Sequence, residues 1–498
     1  MILRAVTKYG EVEGVPTSTV GLSVFKGIPF AAPPVGELRW KAPQPPEPWE
    51  GVRKCDHYAP AAIQGRHGVP FYVEEFPLDF TQIEYSEDCL YLNIWTPAET
   101  VNDRLAVMVW IHGGGNEVGF PHEPEHEGEY IAQRGVIYVN ITYRLNVFGF
   151  LAHPELTAES GTGASGNYAS MDNIAALRWI KENIAAFGGD PDNITVFGQS
   201  AGAINIQTLC VSPLNDGLFR RAICMSGGGA SSTAGAMTLS EAETLGLRFQ
   251  KACGCKSLAE LRTLPAFMLF GFLKGMGRSA YFSTISDGYV LKESFSEEIA
   301  AGKQKEIDYI IGCCSHEGAA FGEGYRQSAE SFNAAVNRSY GRDADAARAI
   351  YNVMTDEEAQ ATTRDVMADG SVYGTQLWAR LHLKSGRKPV YLYLFDRTVP
   401  DRDGNPSWEA AFHSSDIWYV HGTIGRSWRR MGPDDYRTSA LEMDFFTNFA
   451  KTGDPNGPGL PVWKPFTDDS PCTMVISENA RLSTLEEYGY PAIELLKN

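Results

Sequence analysis

Positive charge is scarce in this sequence: 43 Lys and Arg stand against 61 Asp and Glu, a formal charge of -18 over 498 residues. So acidic a surface repels phosphate backbones and anionic headgroups, which argues against nucleic-acid and membrane partners and leaves neutral or cationic small molecules. Long apolar runs are also missing, and nothing approaches the roughly 20 residues that span a bilayer. The start, MILRAVTKYGEVEG, holds only two or three apolar residues before polar and apolar positions alternate as in a strand, so no signal peptide is expected. Cysteine is sparse and unpatterned, nine in all, without C-x-x-C and with Cys313 and Cys314 adjacent. That excludes a zinc ribbon or a disulfide framework and favours reduced thiols in a cytoplasm. Repeats and low-complexity tracts are absent too. The 43% of hydrophobic residues is enough for a sizeable folded core.

What the chain does have is a series of short apolar runs, each ending in a glycine-rich or polar loop. AVMVWI (106–111) runs into HGGG, VIYVNI (136–141) into TYR, and ITVF (194–197) into GQSAG. AICM (222–225) precedes SGGG, DYIIG (308–312) precedes CCSHEG, and VYLYLF (390–395) precedes a loop rich in Pro, Gly and Asp. β-Branched and aromatic runs without alternation read as strands buried on both faces of a mainly parallel sheet. DNIAALRWIKENIAAFGG reads as a helix with Ile174, Leu177, Ile180, Ile184 and Phe187 on one face, Asp172 as cap and Gly188 with Gly189 as stop. The expectation is an open α/β sheet whose ligands bind beyond the carboxyl ends of the strands. Helical patterns between roughly 230 and 385 read as insertions packed over that sheet, within one domain covering 1–498.

Three motifs compete for the chemistry. HEPEH (122–126) satisfies H-E-x-x-H, by which a helix offers two histidines to zinc. Pro124 and Gly128 deny it that helix and no third ligand has an obvious spacing, so a polar loop at the pocket mouth is expected, with no metal. GTGASG (161–166) fits G-x-G-x-x-G, but the polar ELTAES before it is no buried strand. GQSAG is weak as a pattern in a chain with 50 glycines, yet it lies between a strand and a credible helix. Ser200 would then stand on a strained strand-to-helix turn, with the NH of Ala201 at the helix start.

A serine hydroxyl needs a base and an acid, which in this architecture follow it in the order serine, acid, histidine on loops after later strands. Glu317 after DYIIG and His413 after VYLYLF fit that order. His382 lies inside a helical pattern and His421 in a helix opened by Ser414 or Ser415, so His413 is preferred as base. HGGG directly after a buried strand suits a pocket of NH donors for an oxyanion.

With FKGIPFAAPPVGELRW, SEDCLYLNIW, VWIHGGG, NITYRLNVFGFL, NIAAFGGDPDNITVFGQSAG, LFRRAICMSG and NFAKTGDPNG in place, the chain resembles the type-B carboxylesterases (carboxylesterase and cholinesterase family) of the α/β-hydrolase fold along nearly its whole length. The resemblance implies Ser200 as nucleophile, Glu317 as acid, His413 as base, and Gly114, Gly115 and Ala201 as oxyanion donors. It implies no metal or organic cofactor, and a small or medium neutral carboxylic ester as substrate. Same-fold chemistry on amides, carbamates or thioesters, or a non-catalytic binding or adhesion role, is the alternative. The oligomeric state, monomer or weak dimer, stays open.

Departures from the family pattern carry their own expectations. The position that would partner Cys89 is Ala62, so Cys89 should stay a thiol. Asp79 stands where cholinesterases have a tryptophan, and Gln199 where they have a glutamate before the nucleophile, so choline esters are not the expected substrate. Asn116 replaces an aromatic after the glycines and should alter the acyl-side wall.

Overall fold

Every apolar run named above forms a strand, since β-branched and aromatic side chains fit a pleated surface better than a helix. In the computed structural model, residues 1–277, 280–321, 328–386, 388–484, 490, 492, 495 and 496 are described. They fall into two compact units, each discontinuous in sequence.

The first unit comprises Met1–Arg66, Asp79–Ala222 and Thr233–Lys305. Its main strands are β1 (Val15–Pro16), β2 (Ser23–Pro29), β3 (Tyr91–Thr96), β4 (Leu105–Ile111), β5 (Ile137–Ile141) and β6 (Gly189–Gln199), in the order β6-β4-β5-β3-β2-β1. β4 lies parallel to β5 and β6, as continuous burial predicted, whereas β3 is antiparallel to β5 and β2, and β1 to β2. The antiparallel edge was not read from the sequence. Trp95, Trp110 and Trp179 are fully buried in the core of this unit.

Helix α1 (Tyr168–Asn183) corrects one expectation. It begins four residues before Asp172, which is no cap but a wholly buried partner of Arg144. Asp172 Oδ2 accepts from the Arg144 backbone NH at 3.0 Å and from Nε at 2.8 Å, while Oδ1 accepts from Nη2 at 2.7 Å. A carboxylate with a bidentate guanidinium can enter a core where an unpaired one cannot, so it need not sit at a helix end. Helices α2 (Ala201–Val211), α3 (Leu239–Ala252), α4 (Leu258–Thr263) and α5 (Ala266–Met276) follow. α3 is opened by a Thr238–Glu241 capping box and buries Ala242, Leu245, Gly246 and Phe249, the face its periodicity dictates.

The second unit comprises His67–Leu78, Ile223–Ser232 and Glu306–Asn498. The chain passes into it within β7 (Arg221–Met225), and the order runs β7-β8-β9-β10-β11 through β8 (Asp308–Cys314), β9 (Val390–Phe395), β10 (Thr473–Ile476) and β11 (Arg481–Ser483). β9 is parallel to β8 and β10, and β11 antiparallel to β10. The helices that matter here are α6 (Asp356–Ser385), α7 (Asp416–Val420), α8 (Pro433–Thr452) and a short one at Pro70–Glu75. Glu75 is buried against Arg429, with Nη2 at 2.7 Å. The stretch from 230 to 385 is thus divided, α3 to α5 belonging to the first unit and α6 to the second, with β8 between them in sequence.

All nine cysteines are free thiols, Cys89 included. No helix among the described residues is long and apolar enough to cross a membrane.

Candidate active site

β6 ends at Gln199 and α2 begins at Ala201, so Ser200 is the entire turn between them. Its backbone is left-handed, with φ 56° and ψ -126°, a conformation that costs a non-glycine residue about 1–3 kcal/mol. Close packing beneath enforces it: a Cβ at Gly202 would lie 2.0 Å from the carbonyl oxygen of Ile111, the last residue of β4. Only glycine lets the helix start so near the neighbouring strand end. The backbone NH of Ala201 opens α2, where helix amides have no intrahelical partner.

The HGGG turn continues from β4 and lies against this elbow, for a Cβ at Gly113 would be 3.2 Å from that of Ser200. Gly114, Gly115 and Asn116 are left-handed in succession, with φ 94°, 66° and 59°. The carbonyls of the turn are tied back to the protein. His112 O accepts from the Tyr143 hydroxyl at 2.7 Å, Gly113 O from His112 Nδ1 at 3.0 Å, and Gly114 O from the NH groups of Glu117 and Val118 at 3.1 Å each. The NH groups of Gly114 and Gly115 meet no acceptor among the described residues. Fixed NH donors of this kind suit a developing oxyanion.

Asn116 and Gln199 are buried. Asn116 Oδ1 accepts from Asn205 Nδ2 of α2 at 3.0 Å, and its backbone carbonyl from the Asn146 NH at 2.7 Å. Its side chain is therefore engaged with α2.

In the second unit Glu317 and His413 are brought together, each in a loop after a strand. His413 Nδ1 donates to Glu317 Oε2. The other carboxylate oxygen accepts from the Ser226 hydroxyl at 2.6 Å and the Cys314 NH at 2.8 Å, so both oxygens are occupied and the acid cannot swing. The Tyr72 hydroxyl holds the His413 carbonyl at 3.0 Å. Burial favours the neutral imidazole, but the Glu317 charge and hydrogen bond, with Asp416 behind them, outweigh it and hold His413 above its ordinary 6.5. Burial likewise opposes ionisation of Glu317, and His413, Ser226 and the Cys314 amide reverse this to keep it ionised below the usual range.

Ser226, Tyr72 and Asp416 were missed in the sequence. The first is the serine that opens SGGG just after the strand, a position that resembles an ordinary turn. The rejected histidines have structural employment, His382 Nε2 at 3.2 Å from the Lys388 carbonyl and His421 Nδ1 at 3.1 Å from that of Ile417.

HEPEH departs from the polar loop expected. Pro124–His126 is a single 3₁₀ turn with Glu125 and His126 buried, and half-buried His122 stacks on Tyr58 with ring centroids 4.9 Å apart. Glu123, Glu125 and His126 bring donor atoms within 4.8 Å of one another. His126 Nδ1, however, faces the Phe120 carbonyl at 3.2 Å and Glu123 Oε2 at 3.4 Å, so this nitrogen carries a hydrogen toward acceptors rather than offering a lone pair.

The model of the carboxylesterase family matches residues 3–490. A fumonisin B1 esterase of Sphingopyxis macrogoltabida is 36% identical over 84% of this chain and 75% of its own length. Carboxylesterase 1D of Mus musculus is 33% identical over 92% of this chain and 86% of its own. Among solved structures, a PNB esterase superposes with a TM-score of 0.84 at 30% identity over 99% of both chains. A Geobacillus stearothermophilus carboxylesterase, EST55, reaches 0.83 at 29% identity over 98% of this chain and all of that one.

Proposed function

The chain belongs to the carboxylesterase family, with its α/β-hydrolase fold and ester-hydrolysing serine chemistry, and on that premise we propose that Ser200, Glu317 and His413 are its catalytic triad. His413 takes the Ser200 proton as the hydroxyl attacks the ester carbonyl, while Glu317 fixes the imidazole tautomer and stabilises the imidazolium. The NH groups of Gly114, Gly115 and Ala201 receive the oxyanion. His413 then returns the proton to the leaving alkoxide, and water activated by the same imidazole hydrolyses the acyl group from Ser200. No step calls for a metal or cofactor.

The observation that carries this reading is the left-handed Ser200, a strained residue seated between a strand end and a helix start. Strain of this kind is retained where a function requires it. The Glu317–His413 pair supports it from the second unit, since its raised imidazole pKa and fully bonded carboxylate suit a general base and its orienter.

The rest of the proposal is a single catalytic domain, small to medium neutral carboxylic esters as substrates, and a cytoplasmic location, which nine free thiols support. Asn116 and Gln199 remain candidate pocket residues, Asn116 acting through the backbone bend it shares with the glycines.

Exposure to a fluorophosphonate followed by peptide mapping tests the reading without a guess at the substrate. One adduct on Ser200, lost in Ser200→Ala together with about 10⁴-fold of kcat, is the expected result. Folded protein that takes no adduct, or takes it elsewhere, refutes the triad.

A further inference from the structure

The carbonyl of Gly115, the last residue of the HGGG turn, is held by a side chain from a distant segment. The Tyr281 hydroxyl donates to the Gly115 carbonyl oxygen at 3.0 Å. We infer that Tyr281 is a positioning residue for the oxyanion turn, a latch by which the segment after α5 fixes the Gly115 peptide. The inference rests on the active-site reading above.

The segment that carries Tyr281 is anchored on both sides. Ala280 and Phe282 are buried and Tyr281 between them is 46% exposed, so an extended backbone turns its ring opposite to theirs. The Phe282 ring meets Phe249 of α3 at 5.9 Å. Three residues on, the Ile285 main chain is held twice by Asn167, its NH donating to Oδ1 at 3.0 Å and its carbonyl accepting from Nδ2 at 2.8 Å. Asp287 accepts the NH groups of Tyr289, Val290 and Leu291 through Oδ1. It is a turn residue. With the backbone pinned this way, the phenol is delivered to one place.

What it meets there is the least restrained part of the turn. Gly115 has φ 66° and open space where a Cβ would be, so sterics leave the peptide that joins it to Asn116 free to rotate. The neighbouring carbonyls of His112 and Asn116 have donors in the Tyr143 hydroxyl and the Asn146 NH, and those of Gly113 and Gly114 in His112 and in the NH groups of Glu117 and Val118. For Gly115 the donor is Tyr281. The Gly115 carbonyl belongs to the peptide that joins Gly115 to Asn116, one bond pair beyond the Gly115 NH, so the hydroxyl fixes the far side of the residue whose near side the Gly114 carbonyl already fixes. Donors that stabilise an oxyanion act through being fixed before the charge arrives, so a hydroxyl that completes this restraint of Gly115 contributes to the transition state and hardly to the bound ester. Burial, and then the Glu117 charge, raise the phenol above its usual range, so it stays a donor across the working pH.

Tyr281→Phe removes the hydroxyl alone. With para-nitrophenyl butyrate, kcat is expected to fall about tenfold while KM stays within about twofold, less than the 10²–10³ lost with an oxyanion donor itself. The inhibition constant of an alkyl trifluoromethyl ketone, which adds to the serine as a tetrahedral oxyanion, should rise by the factor that kcat loses. Tyr281→Ala should fall no further in kcat, and the melting temperature of Tyr281→Phe should match the parent within about 2 °C. An unchanged kcat, a change confined to KM, or a ketone constant that follows KM would overturn the latch. Fluorophosphonate labelling of the parent separates this from failure of the active-site reading. A labelled Ser200 with an unmoved Tyr281→Phe removes only the latch, whereas an unlabelled Ser200 removes the site and the latch together.

Discussion

Glu317→Gln keeps the shape of the acid and removes its charge. Two opposing forces set the His413 pKa, burial lowering it and the Glu317 carboxylate raising it, with the carboxylate prevailing. Catalysis needs the neutral ring, so the acid limb of kcat/KM is expected above pH 6.5 in the parent enzyme. Without the charge, burial prevails and the limb should move to lower pH, while the rate itself drops by about 10⁴. A profile of kcat/KM from pH 5 to 9 checks this, and a limb that stays or moves upward refutes the assignment. At this scale Ser200, Glu317 and His413 were legible because the chemistry dictates residue types and their order along the chain. Ser226, Tyr72 and Tyr281 were not. Each acts through one hydroxyl on a partner 91, 341 or 166 residues away, and nothing local distinguishes such a serine or tyrosine from any other.

Among the elements, β4, β5, β6, β8 and β9 could be read because full burial of a parallel strand leaves an unbroken apolar run. The two-residue β1 is too short to leave one, and in the antiparallel edge Lys26 and Gly27 break the run of β2 and Asn93 that of β3. For α1 the apolar face was visible but the start was not, since Asp172 looks like a cap until Arg144 is known to face it. That pair yields a prediction at this scale. Asp172→Ala leaves the Arg144 guanidinium buried without its counterion and should cost about 3–5 kcal/mol of stability. Urea unfolding measures it, and a loss under about 1 kcal/mol would show that Arg144 finds other partners. The HEPEH turn teaches the complementary point, for Pro124 was enough to remove the helix but gave no hint that the turn would be buried.

For the molecule as a whole, composition set the limits early and the division into two units was invisible, because residues 67–78 belong with a unit that otherwise begins at 223. Stability against pH is the property that belongs to this scale. Asp416 and Glu442 are wholly buried on α7 and α8, among Tyr393 of β9, Cys313 and Cys314 of β8, and Glu317, His413 and Tyr72. The Tyr393 hydroxyl reaches Asp416 at 3.3 Å, while neither Glu442 oxygen meets a hydrogen-bond partner among the described residues. Burial pushes Asp416 up to about 7, and Glu442 well above its ordinary 4.5. Both pKa values are raised in the folded state, so their contribution is complete below the unfolded values and is lost as pH rises toward and through the folded ones. Stability should therefore decline from pH 5 to 8, by up to about 1.4 kcal/mol per pH unit for each proton retained. Glu442→Gln, which cannot ionise, should flatten that decline in urea titrations, and parallel slopes in parent and variant would refute it. The strained turn at Ser200 has a consequence for selection. Glycine there would relax the left-handed backbone and leave the elbow more stable but without its nucleophile. A search for heat resistance alone would thus favour losing the reaction at this position, and only a screen that also demands turnover keeps the serine in place.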